Sequence, residues 1–148
     1  MRVVIAGAGS VGRSIARRGQ QGGVVGVVDG LGRRAGQAML GAMFIKLGAD
    51  AAREPGPRVD AAAAAGVPEA ETAVRVNGAA MVLGGAALVL DKLPRAAALG
   101  LVASLVPTTA VGHPYWRQEG QQATANQIQV AKNVGLAGGL LLVAFQRR

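Results

Sequence analysis

The chain has 148 residues, no cysteine, 3% aromatic and 51% hydrophobic residues, and a formal charge of +8. Without cysteine there are no disulfides, thiolate metal sites or CxxC redox pairs, and the single histidine, His113, leaves no His-rich metal centre and no bis-histidine haem. Charged residues make up only 16% of the chain, against about 25% in a typical soluble domain, so a basic but charge-poor sequence rich in Ala, Gly, Val and Leu reads as a membrane composition.

The first thirty residues form a distinct segment. RVVIAG runs into GAGSVG, which places Gly7, Gly9 and Gly12 in the GxGxxG spacing. The stretch SVGRSIARR follows, and GVVGVVD then ends in Asp29. In a dinucleotide site the glycines allow a tight turn and close pyrophosphate approach, and an acid about 20 residues on holds the ribose. MRVVIAGAGSVGRSIAR resembles the opening of the nucleotide-binding regulatory domains of TrkA-type potassium uptake systems. No third strand follows, however, and two strands with one helix cannot bury a core. The expectation is therefore an N-terminal extension over residues 1–30, an incomplete Rossmann-like fragment with a short βαβ-like order. Gly7, Gly9, Gly12 and Asp29 are its cofactor-binding candidates, and a working NAD site is disfavoured. The apolar run is broken by glycines and followed by arginines, which is not a signal-peptide pattern.

Four apolar stretches follow, at residues 35–52, 76–90, 96–112 and 133–146. A spanning helix needs about 17–25 mainly apolar residues. The third stretch meets that outright. The second does so with residues 72–75 included, and the first and fourth by accepting one lysine each. A soluble four-helix bundle is the rival, but residues 76–90 and 96–112 carry no charge on any face, so neither helix could border water. The sequence thus predicts an all-α, four-helix transmembrane bundle. Small residues recur at four-residue spacing, at Ala96, Gly100 and Ser104 and again at Gly135 and Gly139. Such stripes let helices approach closely in lipid.

The charges predict an orientation. Arg33 and Arg34, with Arg13, Arg17 and Arg18 further back, precede the first stretch; Lys92 and Arg95 separate the second and third; Arg147 and Arg148 follow the fourth. With four crossings all of these share one side. On the other side Arg53, Arg58 and Arg117 are diluted by Glu54, Asp60, Glu69, Glu71 and Glu119. The positive-inside rule then places both termini in the cytoplasm and residues 53–71 and 113–126 outside. The +8 charge becomes a topology signal, and no stacking aromatics accompany it to support a nucleic-acid partner.

From residue 33 onward the sequence resembles the DoxX family of small bacterial membrane proteins. The likeness rests on RRAGQAMLGAMFIKLGADAAREPGP, RVNGAAMVLGGAAL, SLVPTTAVGHPYW and IQVAKNVGLAGGLLL, which occur in order over residues 33–148. The resemblance implies a multi-pass protein of the bacterial cell membrane. It also implies a role beside quinone reduction in thiosulfate oxidation, or within membrane oxidoreductase assemblies that handle oxidative stress.

The ionisable residues gather toward the outer face of this threading. Lys46, Asp50, Arg75, Asn77, His113, Lys132 and Asn133 form a candidate polar pocket, because charges in lipid are costly unless paired, hydrated or snorkelled. No catalytic residue and no metal ligand is singled out. A cationic pocket of Lys46, Arg75, His113 and Lys132 suits an anionic headgroup, a sulfur oxyanion or a quinone carbonyl, with His113 able to relay a proton. Quinone is thus the one ligand considered as a cofactor, while membrane lipid and a redox partner protein are the expected partners. The structural alternative pairs Lys46 with Asp50 one turn away, lets Arg75 and Lys132 snorkel, and makes residues 113–116 an interfacial anchor. Two functions stay open: a membrane subunit of a redox assembly, or a non-catalytic scaffold or lipid-associated protein.

Overall fold

The computed structural model describes residues 8–146, with side chains from residue 23 onward. The described residues form helices α1 (Ala8–Arg53), α2 (Pro57–Ala64), α3 (Ala70–Val89), α4 (Pro94–Gly112) and α5 (Gly120–Phe145), with one 3-10 turn at Tyr115–Arg117. The chain divides into two compact units, residues 1–35 and 36–148. In the first, the described residues are all helical, and Val24, Val25, Val27, Val28 and Leu31 are exposed.

Two expectations need correcting here. No βαβ-like fragment is present among the described residues, since Gly9, Gly12 and Asp29 all lie within α1; Gly7 falls outside them. The reason is hydrogen bonding. The chain contains no proline before Pro55, and a valine-rich segment without neighbouring strands can satisfy its backbone only as a helix. The bundle also has five helices rather than four. Pro57 supplies the preset φ of a first helical turn, and the alanine run behind it forms α2 within the segment expected to be a loop.

Proline and left-handed residues set the other boundaries. Pro55, Pro57, Pro68, Pro94 and Pro114 lie at or beside helix ends, and Pro107 alone stands inside a helix. α2 stops at Gly66, whose φ of 80° lets the Val67 amide donate to the Ala62 carbonyl at 3.0 Å. That is the glycine-closed helix end. Asp91, at φ 52°, takes the same role after α3, where the Lys92 amide donates to the Ala87 carbonyl at 2.8 Å.

Within residues 36–148 the core is Phe44, Met81, Leu88, Ala98, Leu101, Leu105, Leu140, Val143 and Ala144. α4 packs against both α3 and α5, and α2 lies against α3 and α4. α1 and α3 approach each other backbone to backbone at two pairs of glycines. A Cβ on Gly41 would stand 2.5 Å from the Gly85 carbonyl oxygen, and one on Gly48 would stand 2.5 Å from that of Gly78. The reverse distances, from Gly85 to Gly41 and Gly78 to Gly48, are both 2.6 Å. Glycines seven apart on each helix therefore mate backbone to backbone. The four-residue stripes do not play this part: Gly100 and Gly135 have nothing within 4 Å, and Gly139 makes only an ordinary contact with Leu40.

Three helical segments, Ala70–Val89, Pro94–Arg117 and Gly120–Phe145, are long and apolar enough to cross a membrane. Their windows bury only 22%, 17% and 17% of their residues inside the protein. Leu83, Leu142 and Phe145 are more than 70% exposed on the perimeter. Apolar surface on that scale is unstable in water and ordinary in lipid. α1 is not among the three spans, because Gln37, Lys46 and Asp50 dilute its apolar stretch.

Candidate functional site

The sequence SLVPTT places Ser104, Thr108 and Thr109 in the second half of α4, whose stretch 96–112 is otherwise apolar. A hydroxyl in such a helix bonds back to the carbonyl four residues earlier. Thr108 Oγ1 donates to the Ser104 carbonyl at 2.8 Å, and Thr109 Oγ1 to that of Leu105 at 2.7 Å. Each threonine oxygen keeps its acceptor lone pairs, and both are used across helices. Asn77 Nδ2 on α3 donates to Thr108 Oγ1 at 3.1 Å, while Ser104 Oγ donates to Asn77 Oδ1 at 2.8 Å. Asn133 Nδ2 on α5 donates to Thr109 Oγ1 at 2.9 Å. An uncharged polar seam therefore runs along α4 with one branch to each neighbour.

His113 closes the seam at the end of α4. Its Nδ1 lies 2.9 Å from Asn126 Oδ1, and Asn126 Nδ2 donates to Gln118 Oε1. With Asn126 oriented so that its oxygen faces the ring, Nδ1 carries the proton it donates to Asn126 Oδ1. Tyr115 and Trp116 stack edge to face beside it, centroids 5.3 Å apart.

The charged residues sit elsewhere. Lys46 Nζ pairs with Asp50 Oδ2 at 3.0 Å on the surface of α1, their side chains 77% and 49% exposed. Lys132 is exposed and donates to Gln129 Oε1 at 2.8 Å on its own helix. Arg75 has a structural engagement on two sides. It pairs with Glu71 at 2.8 Å and donates from Nη1 to the Ala52 carbonyl at 2.6 Å. Those last carbonyls of α1 have no partner within the helix, so Arg75 caps α1 from α3.

Of the seven residues expected in one polar pocket, Asn77, His113 and Asn133 thus lie along α4. Lys46, Asp50, Arg75 and Lys132 are engaged separately. The Lys46 and Arg75 charges are each matched by a carboxylate, which removes much of the attraction for an oxyanion. Ser104, Thr108, Thr109, Asn126 and Gln118 also belong to this polar network, and none of them is among the seven residues expected from sequence. The signal is three hydroxyls clustered around Pro107 within the charge-free stretch 96–112. For the dinucleotide candidates, Gly9, Gly12 and Asp29 lie along one continuous helix. Among the described residues there is thus no strand-to-helix turn to receive a pyrophosphate. No group of three or more His, Asp or Glu side chains is placed to hold a metal among the described residues.

The DoxX family model matches residues 34–114, more than half of the chain, from the later part of α1 to just past the end of α4. The TrkA-type resemblance of residues 1–30 is not supported, since that segment lies outside the match and its described part is helical. No curated protein and no solved structure matches the chain. The family match covers Asn77 and the α4 seam, and the three long apolar helices agree with it: the chain belongs to the DoxX family of membrane proteins.

Proposed function

We propose that this protein is a membrane subunit of a quinone-linked oxidoreductase assembly. In this reading residues 36–53 of α1 cross the membrane beside α3, α4 and α5, and the α4 seam receives the quinone headgroup. The observation that carries the reading is the seam's chemistry: hydroxyl and amide groups without formal charge, set in apolar helices and ending at His113. Such groups complement a neutral carbonyl better than a sulfur oxyanion, which needs unpaired positive charge. Asn133 donates to the carbonyl oxygen by releasing Thr109, whose hydroxyl stays bonded to Leu105. His113 relays one of the two protons that two-electron reduction of a quinone to its quinol requires. The chain has no thiolates and one histidine, and in this reading electrons come from a partner protein or directly from the substrate.

A non-catalytic scaffold is the second reading, favoured by one observation: the Asn77–Ser104–Thr108 hydrogen bonds close on themselves. Equilibrium binding of a short-chain benzoquinone to the full chain in lipid nanodiscs separates the two. Saturable binding is expected, weakened about tenfold by Asn133→Leu, equivalent to one hydrogen bond of about 1.4 kcal/mol. Unfolding of the variant should stay near wild type. Partition into lipid that is identical with and without the protein would leave the scaffold reading.

A further inference from the structure

We propose that the Lys92 end of the bundle holds an ordered internal water bound by the Gln37 amide. This inference is independent of the quinone reading. Gln37 is 1% exposed, and neither its Nε2 nor its Oε1 has a partner in the protein. Gln146 Nε2 is also buried without a partner. A buried amide left in that state bears the desolvation penalty of a donor and an acceptor together. An apolar side chain of the same length would fill the space at no such cost.

Helix register brings the two glutamines toward one level. Gly41 rests on Gly85 and Leu88 of α3, and Leu40 faces Gly139 of α5. Gln37 lies one turn before them, so it is level with the end of α3 and with the last turns of α5, which lead to Gln146. Arg95 Nη2 ties α4 to this end by donating to the Gln146 carbonyl at 3.1 Å. Gln37 also shares the packed face of α1 with Phe44 and Ala51, at successive seven-residue steps.

The chemistry of the orphaned atoms selects the ligand. A carbonyl-bearing molecule would accept from Nε2 and leave Oε1 unsatisfied. Water accepts from Nε2 and donates to Oε1, so one molecule satisfies both orphaned atoms of Gln37. Phe44, Leu101 and Leu140, each at most 2% exposed, lie between this level and the α4 seam. The two polar regions are therefore separated by apolar side chains.

X-ray hydroxyl-radical footprinting of the full chain in lipid nanodiscs tests the proposal, because radicals formed from a bound water oxidise the side chains around it. Oxidation is expected at Leu40, Leu88 or Val143 in the wild type, falling at least about fivefold in Gln37→Met, with Trp116 oxidation unchanged. Wild-type oxidation at these residues no greater than at Leu105 overturns the proposal, and this arm stands whether or not the variant folds. Oxidation that persists in Gln37→Met overturns it as well, since the amide then holds no water.

Discussion

Gly41→Ala and Gly48→Ala are expected to destabilise the bundle by about 1–3 kcal/mol each, the scale of overpacking in a well-packed interior. The added methyl group would meet a carbonyl oxygen of α3 at 2.5 Å in both cases. Backbone cannot rotate aside as a side chain can, so α1 and α3 must move apart along their shared length. The capping bond from Arg75 to Ala52 should loosen with them. Gly100→Ala and Gly135→Ala are the controls. Nothing lies within 4 Å of either glycine, and alanine is favoured over glycine in a helix interior by up to about 1 kcal/mol. Unfolding of the four variants in bicelles should thus give opposite signs for the two pairs. Equal losses at all four positions would contradict the backbone-to-backbone contact of α1 with α3.

Asn77 is expected to show the largest effect within the seam. Asn77→Leu removes two hydrogen bonds to α4, and bonds between membrane helices average about 0.6 kcal/mol with a maximum near 1.7. A loss of about 1–2 kcal/mol follows. Asn77→Asp should cost more, about 3 kcal/mol, because it deletes the donor to Thr108 and introduces an acid between apolar helices. Coupling identifies the geometry. Asn77→Leu and Ser104→Ala share a hydrogen bond and should be non-additive, whereas Asn77→Leu and Asn133→Leu act on different threonines and should add. Additivity in the first pair would contradict the seam.

The two charge-free stretches were legible as helices because no other structure suits so long an apolar run, and α3 and α4 cover nearly the residues expected. α5 begins earlier than its apolar stretch, at Gly120, since the Gln- and Ala-rich segment before it is polar but has no helix breaker. The strand expected at residues 23–29 came from valines, whose β preference depends on packing against neighbouring strands, and these residues are helical; the strand expected before Gly7 lies outside the described residues. In the candidate site, charge drew attention to Lys46, Arg75 and Lys132. The i,i+4 partner of Lys46 was visible, but Glu71 beside Arg75 was passed over, as were the carbonyls at the end of α1. Ser104 was read only as a small residue. Its role depends on Asn77 lying opposite, a register that no spacing within α4 reveals.

The central proposal is that α3 and α4 form a membrane hairpin beside α5; with residues 36–53 crossing as well, the positive-inside rule would put the seam in the outer half. Single cysteines test it directly, because the native chain contributes no thiol. Asp60→Cys and Gln121→Cys should react with a membrane-impermeant maleimide in intact cells. Lys92→Cys, in the turn between α3 and α4, should react only after permeabilisation. Labelling of Asp60→Cys and Gln121→Cys on opposite sides, or of all three on one side, would contradict the account.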